Sequence, residues 1–583
     1  MRTSWNLNGL FYKDLKDRRI ERDQKQADKA VAAFAAKYRK DKRHLKSPAA
    51  LAKALNEFEA MMKNPTVNAA YYAAYRKTLD VEDKAAEALS AKLDERGTKR
   101  GNQLIYFTLE LGKIPAALQK RFLAAKELAP FRYWLSELFE HAKHDLTEPE
   151  EKILSLYADV SEGRWIQATE NILNKQTVPY GTEQLPLPQA EGLIPTLPTE
   201  KRRALYASVR SVYERTSDIA ESEINALYTG KKIEDELRKF KTPYEETILG
   251  YQNDVKSIMA LVDAVAGAKK ISHRFYEVKR KLLKLDRLTY ADRSATVGEV
   301  KTKVPFAKAV EIVREVFADL DPQYANILDR LLANGQVDVY PKKGKSGGAF
   351  CSSSVTTPTL VMLNQVDDFN SLKTLAHEMG HAIHAERAKT QRPLYQGHPI
   401  STAETASTFF ETAALNRVIE TLPDSERLVA LHDKVQDNVA TVFRQIACFR
   451  FEMALHEAIR KDGYVPKERI ADLMNEYMAD YLGPAFKLER EDGYFFVHWG
   501  HIRRYFYVYS YAYGQLISSA LHRKLAKDQA YIAKVDGFLT AGESKSPYDI
   551  FKSCGLDTRN PAIFKEGLKE LEKDVSELER LVK

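Results

Sequence analysis

The chain has 583 residues, of which 44% are hydrophobic and 29% charged, and its formal net charge is +8. A single hydrophobic core usually stops growing at roughly 250–300 residues, so we expect two lobes. No run of about 18 apolar residues occurs, which excludes a transmembrane helix, and the densest basic run lacks the aromatic residues of a nucleic-acid-binding motif.

Two features of the sequence predict a cytoplasmic protein. The N-terminus turns polar and charged before an apolar stretch of signal-peptide length develops. The three cysteines, Cys351, Cys448 and Cys554, are far apart and lack the spacing of a disulfide framework or a cysteine-rich zinc site. We therefore expect a reducing compartment, with neither a membrane nor a nucleic acid as partner.

The first third of the chain is predicted to be helical. Residues 23–175 have the pattern of successive amphipathic helices rich in Ala, Leu, Glu and Lys. Residues 179–198 then contain five prolines and two glycines, a composition that cannot continue a helix and is typical of a connection between lobes. We divide the chain there, into an N-terminal helical lobe (1–190) and a catalytic region (191–583).

The remainder has one predicted β segment. Helical patterning resumes at Thr199 and runs to about Ala333, and residues 336–365 then carry β-branched runs separated by Gly, Ser and Pro. Helical patterns dominate from there to the C-terminus. The prediction is a mainly α fold with one small β-sheet directly before a histidine-rich segment.

That segment, TLAHEMGHAIHAE (374–386), has the spacing of a zinc-binding helix. His377 and His381 lie four residues apart, hence on one helical face, where both imidazoles can reach one ion. Glu378 is offset by about 100° and is placed to hydrogen-bond a water at the metal's open position, as a general base does. His384 lies about 10 Å along the axis from His377, so we interpret it as a cleft-lining residue beside the ligands.

A third ligand is needed, because a chance His-Glu-x-x-His occurs in about one chain of this length in fifty. Glu404 and Glu411 lie seven residues apart and share a helical face. Pro399 breaks the chain before them and Ser401 or Thr402 can cap a returning helix, which would present Glu404 to the metal and leave Glu411 to support the ligands. From spacing alone, two surface glutamates remain an alternative.

The stretch LAHEMGHAIH, followed 27 residues after its first histidine by Glu404 in AETAST, resembles the M3 family of zinc metallopeptidases and, within it, the bacterial oligoendopeptidase F group. Further stretches resemble that group in the same order along the chain: WNLNGLFY, GKSGGAFCSSS, HIRRYFYVYSYAYG and FLTAGESKSPYDIFKSCGLD. The resemblance covers most of the chain and is most specific after about residue 190.

The resemblance implies one zinc ion held by His377, His381 and Glu404, with Glu378 as the base. It also implies a two-lobed helical ellipsoid whose deep central cleft admits short, unstructured peptides. An extended substrate is expected along the strand predicted at Gly347, Gly348, Ala349 and Phe350, because glycines let another backbone approach.

The tyrosine-rich segment departs from the family pattern. Related sequences commonly have Pro-His followed by aromatic residues, whereas this chain has Gly500-His501-Ile502-Arg503-Arg504, so a subsite preference is not carried over. His501 and Tyr507 resemble the histidine and tyrosine that close over the scissile bond, and Tyr511 shares a helical face with Tyr507. Tyr509 and Tyr513 form a second such pair, and which pair faces the cleft stays open.

The predicted function is zinc metalloendopeptidase, cleaving internal bonds of short unstructured peptides. One alternative is a zinc carboxypeptidase or dipeptidase on a similar helical fold, in which Arg503 and Arg504 would hold a substrate carboxylate. Another is a non-catalytic peptide-binding protein with a vestigial site. The sequence leaves the oligomeric state open.

Overall fold

Helices make up 72% of the protein in a computed structural model, which describes residues 1–65 and 67–583, with the side chains of residues 155, 156 and 159 left aside. The predicted mainly α class is confirmed. Among the described residues, no helix combines the length and the apolarity that a membrane span requires.

The elements follow one another along the chain with short connections. The first helices are α1 (Leu7–Leu10), α2 (Arg18–Lys40), α3 (Pro48–Met62), α4 (Asn68–Leu79), α5 (Lys84–Gly112), α6 (Ala116–Ala124), α7 (Arg132–His141), α8 (Glu148–Ala158) and α9 (Arg164–Asn174). The next elements are β1 (Thr177–Tyr180), β2 (Glu183–Pro186), α10 (Leu187–Leu193), α11 (Thr199–Arg215), α12 (Ser217–Arg238), α13 (Glu245–Gly250), α14 (Val255–Gly267), α15 (Lys270–Leu282), α16 (Phe306–Leu320) and α17 (Pro322–Asn334).

The second half of the chain begins with a small sheet. Its elements are β3 (Val337–Asp338), β4 (Phe350–Ser352), β5 (Leu360–Met362), α18 (Phe369–Ala388), α19 (Ile400–Thr421), α20 (Asp424–Val439), α21 (Gln445–Asp462), α22 (Lys467–Leu482), α23 (Tyr509–Lys527), α24 (Ile532–Leu539), α25 (Pro547–Ser553) and α26 (Pro561–Leu581). Short 3₁₀ segments span Lys42–Leu45, Lys126–Phe131, Ile194–Thr196, Tyr290–Asp292, Pro393–Tyr395, Arg490–Val497, Gly500–Arg503 and Gln529–Tyr531, and π-helical turns span Asp159–Gly163 and Ala440–Arg444.

The chain divides into two compact units, each built from three segments. Unit 1 comprises Met1–Glu148, Thr302–Val418 and Asp528–Gly555, and unit 2 comprises Pro149–Lys301, Ile419–Lys527 and Leu556–Lys583. The sequence division near residue 190 separated sequence regions rather than compact units, and it stays a prediction.

The proline-rich connection contains regular structure that its composition did not predict. β1 pairs antiparallel with β2, with Val178 opposite Leu185, so the described residues form two small sheets rather than one. Helix α10 follows directly, and Pro188 lies in its first turn. A proline is tolerated there because its missing N–H would have no intrahelical partner.

The second sheet lies beside the predicted zinc-binding helix and has the strand order β3-β5-β4. The central strand β5 is buried and pairs parallel with β3 and antiparallel with β4, where Cys351 lies opposite Val361. The indole N–H of Trp5, in the WNLNGLFY stretch, donates to the Val361 carbonyl at 2.9 Å and ties the N-terminus to this sheet. Among the described strands, β4 is therefore an edge strand with one free side.

Helix α18 carries the histidine motif and begins where predicted by its chemistry. Asp368 caps it by accepting from the Ser371 N–H at 2.8 Å. The predicted apolar face is confirmed, since five of its side chains are fully buried: Leu372, Leu375, Met379, Ala382 and Ile383. This face fixes the helix in unit 1, which leaves the histidine face to form a site.

Helix α19 packs closely against α18. A Cβ atom on Gly380 would lie 2.8 Å from the Ser407 Cα, so only glycine allows this approach. The predicted cap at Ser401 or Thr402 is wrong, because α19 begins at Ile400. Both residues lie inside the helix, and the Thr402 hydroxyl donates back to the Pro399 carbonyl at 2.8 Å.

Candidate active site

Three side chains of unit 1 form a group that could hold a metal ion. His377 and His381 from α18 and Glu404 from α19 each offer one ligand atom, and these atoms lie within 4.8 Å of one another. The two imidazole rings are 4.9 Å apart between centroids. The structure therefore brings together the three residues that the sequence suggested as ligands.

Glu378 adjoins this group and is buried, with 8% of its surface exposed. Burial raises its pKa to about 7, the nearby Glu404 and Glu411 carboxylates act in the same direction, and His377 and a backbone hydrogen bond from Cys351 oppose the rise. A carboxyl group with a pKa near neutrality can both accept and return a proton.

Glu411 contacts a histidine of the group rather than joining it. Its Oε2 accepts a hydrogen bond from His377 Nδ1 at 2.7 Å, and Lys373 Nζ lies 3.7 Å from its other oxygen. Burial lowers the pKa of His377 and the Glu411 hydrogen bond raises it, with a net rise. Because Nδ1 is engaged by Glu411, the Nε2 atom of His377 is the nitrogen left for a metal.

A cavity of about 500 Å³ opens over these residues. Its walls come from the β4 region, α18 and the start of α19, and its lining residues are Ala349, Phe350, Cys351, Ser352, Ser353, His377, Glu378, His381, Ala385, His398, Ala403 and Glu404. The site is thus bordered by the edge strand of the small sheet.

The predicted strand at residues 347–350 is wrong in its bounds. The strand spans Phe350–Ser352, and Gly347 and Gly348 precede it in a bend. Gly348 has a φ of +76°, a left-handed conformation that ends the extended backbone, and the Asn364 side chain donates to its carbonyl at 2.8 Å. Ala349 and Phe350 line the cavity as expected, and substrate binding by the two glycines stays a prediction.

Sequence reasoning did not identify two residues of the cavity wall, Cys351 and His398. The His398 ring stacks on His384 with centroids 4.3 Å apart, which places His384 behind the wall, beside the ligands. Burial lowers the pKa of His398 to about 4, so the ring is neutral at pH 7. The only sequence signal was its position directly before Pro399, ahead of the helix that carries Glu404.

In unit 2, the tyrosine-rich segment resolves into one accessible face and one buried face. Tyr507 precedes α23 and Tyr511 lies in its first turn, and their hydroxyl groups are 3.1 Å apart. The His501 ring stacks on Tyr507 with centroids 5.6 Å apart. Tyr509 and Tyr513 are fully buried, so the accessible pair is Tyr507 and Tyr511.

Arg503 is not available to bind a substrate carboxylate. Its guanidinium pairs with Glu223 at 2.8 Å, and the two side chains are 5% and 0% exposed. It also donates to the backbone carbonyls of Phe496, Val497 and Trp499. The carboxypeptidase alternative therefore loses one of its two arginines, while Arg504 is exposed.

Comparison with known proteins agrees with this site. The family model described as peptidase family M3 matches residues 199–570, well over half of the chain, and the model described as oligopeptidase F matches residues 110–174. The oligopeptidase PepF of Bacillus subtilis is 25% identical over 527 residues, which cover 88% of this chain and 78% of that protein.

Solved structures share the fold. A Chlamydophila abortus protein superimposes with a TM-score of 0.86 at 20% identity, covering 99% of this chain and 98% of its own. The oligoendopeptidase F of Enterococcus faecium superimposes with a TM-score of 0.70 at 21% identity, covering 96% and 99%. The extent of the family match shows that the chain belongs to peptidase family M3.

Proposed function

We propose that this peptidase is a zinc-dependent metalloendopeptidase that hydrolyses internal bonds of short, unstructured peptides. One observation carries the proposal: the ligand atoms of His377, His381 and Glu404 converge at the wall of a cavity that Glu378 and the free edge of β4 also border. Two imidazoles, one carboxylate and room for a water are the donor set of a catalytic zinc site.

The residues fit one zinc ion in their protonation as well as in their spacing. Burial lowers the pKa of His381 well below its ordinary value, so this imidazole is in the neutral form that binds a metal. Glu411 holds the His377 ring by its Nδ1 atom. A zinc ion bound here polarises a carbonyl group and lowers the pKa of a water molecule.

Glu378 is the proposed proton carrier. Its carboxylate takes a proton from the attacking water and later delivers that proton to the leaving amine. The neighbouring Cys351 backbone supports this role, since its hydrogen bond holds the carboxylate beside the ligands without neutralising it.

The substrate is proposed to lie extended along β4. The free N–H and C=O groups of an edge strand can pair with a peptide backbone, a mode of binding that tolerates many sequences. A cavity of about 500 Å³ beside that edge accommodates side chains of an extended peptide. A folded protein offers no such free strand, so short peptides are the preferred substrates and nucleic acids are not bound.

We further propose that His501, Tyr507 and Tyr511 donate hydrogen bonds to the developing oxyanion. Support comes from their geometry, since the two phenols touch and the imidazole stacks on one of them, so the donors are ordered in advance. The cysteines Cys351, Cys448 and Cys554 are all free thiols, which supports a reducing compartment, and we propose the cytoplasm.

An internally quenched peptide blocked at both termini tests the proposal. We expect cleavage at an internal bond, loss of activity with a chelator and recovery with added zinc. A carboxypeptidase would leave the blocked peptide intact. Failure of the zinc-loaded protein to cut a library of such peptides would refute the proposal, as would equal rates for a folded domain and the same sequence as a free peptide.

A further inference from the structure

The backbone directly before Tyr507 has an unusual conformation. Tyr505 and Phe506 have φ angles of +38° and +64°, so two consecutive residues with side chains adopt left-handed values. The Cβ atom makes such values unfavourable, and they persist only where surrounding contacts enforce them. Some part of unit 2 must therefore hold this turn.

Three hydrogen bonds fasten the turn. The Phe506 N–H donates to Glu452 at 2.8 Å, and the Thr247 hydroxyl donates to the Tyr505 carbonyl at 2.9 Å. The Tyr505 hydroxyl donates to the Leu227 carbonyl at 3.0 Å. The bond to Glu452 is the one made at Phe506, the residue adjacent to Tyr507.

Glu452 lies on α21 and is fully buried. One helical turn away, the His456 ring stacks on the Phe506 ring with centroids 5.0 Å apart, so the same helix face contacts the turn through both its backbone and its side chain. Burial raises the pKa of Glu452 to about 8, so at neutral pH it is mainly the neutral acid. A neutral acid accepts the Phe506 N–H without placing a charge in the core.

We propose that Glu452 is a positioning residue for the peptidase reaction, acting through Phe506 to fix the Tyr507 phenol. The inference rests on the proposed function of Tyr507. Removing the acceptor at residue 452 leaves a buried N–H unpaired at a strained turn, and the turn relaxes. The Tyr507 hydroxyl then moves relative to Tyr511 and His501, while the zinc ligands, which lie in unit 1, are unchanged.

Three single variants and one double variant test this: Glu452→Leu, Glu452→Gln, Tyr507→Phe, and Glu452→Leu combined with Tyr507→Phe. We expect Glu452→Leu to lower kcat by about 10- to 100-fold with little change in KM, because a displacement of about 1 Å can cost this much. Glu452→Gln, which keeps the acceptor oxygen, should stay within about threefold of wild type. Added to Tyr507→Phe, the Glu452→Leu substitution should cost less than about threefold more, because the hydroxyl that it displaces is already absent.

Hydrogen exchange in a segment spanning residues 500–511 gives a readout independent of activity. Glu452→Leu should speed exchange there and Glu452→Gln should not. Leu455→Ala is the matched control, since Leu455 is fully buried on the same helix, and it should lower stability without changing kcat. If Glu452→Leu does not fold, Glu452→Asp replaces it, because the shorter side chain withdraws the acceptor.

The results separate this inference from the proposed function. Wild-type kcat in Tyr507→Phe would refute the role of Tyr507 and, with it, positioning of a reactive phenol by Glu452. A large loss in Tyr507→Phe together with wild-type kcat and wild-type exchange in Glu452→Leu would overturn the inference alone. Multiplicative losses in the double variant would also overturn it, since they would show that Glu452 acts independently of Tyr507.

Discussion

Replacing Gly380 with Ala perturbs the contact between the two helices that carry the proposed ligands. The new methyl group would lie 2.8 Å from the Ser407 Cα and 3.1 Å from the Ala406 carbonyl oxygen, whereas ordinary contacts begin near 3.4 Å. Backbone atoms cannot rotate away, so α18 and α19 must separate by about 0.6 Å or distort locally.

Two opposing effects set the change in stability. Overpacking of this kind costs about 1–3 kcal/mol, and exchanging glycine for alanine inside a helix returns up to about 1 kcal/mol. The expected net loss in the free energy of unfolding is therefore about 0–2 kcal/mol. The effect on zinc is larger, because metal–ligand distances tolerate only about ±0.2 Å and Glu404 lies three residues before Ser407. We expect zinc affinity to fall by about tenfold or more.

Competition with a chromophoric chelator measures the zinc affinity, and thermal melts of the metal-free protein measure stability. Gly101→Ala is the matched control, since Gly101 lies on α5 in the same unit with nothing within 4 Å of its added Cβ. It should leave zinc affinity unchanged and stability equal or slightly higher. Wild-type zinc affinity and stability in Gly380→Ala would refute the reasoning that this close approach sets the ligand geometry.

Two further predictions concern single glutamates. Glu411→Gln should lower zinc affinity by about 10- to 100-fold, because it weakens the hydrogen bond that orients His377; the exposed Glu420→Gln on the same helix should change nothing, and equal affinities in the two variants would contradict this role. Because burial raises the pKa of Glu452 from 4.5 to about 8, the folded state binds more protons than the unfolded state between these values, and stability falls as pH rises through that window. Glu452→Gln should therefore be more stabilising at pH 8 than at pH 5, by on the order of 3 kcal/mol, and thermal melts giving the same difference at both pH values would show that the carboxyl group does not titrate in this way.

The sequence predicted well the features that depend on short-range periodicity. The spacing of His377 and His381 and the apolar face of α18 follow from 3.6 residues per turn, and Glu404 follows because α19 returns alongside. Features set by long-range contacts were missed. His398 stacks on His384 only because the chain folds back at Pro399, and the strand bounds shifted because Gly348 takes a left-handed φ. The β1-β2 hairpin was missed because its prolines are as typical of a loop as of an isolated two-stranded sheet.

Zinc content and peptide turnover, measured together on Glu378→Gln and Glu404→Gln, test the central claim most directly. Glu378→Gln should retain one zinc ion per chain and lose about 10²- to 10⁴-fold in kcat, because this side chain moves protons and does not bind the metal. Glu404→Gln should lose zinc affinity first, since it removes a charged ligand. Full zinc occupancy and activity in Glu404→Gln, or normal turnover in Glu378→Gln, would contradict the account.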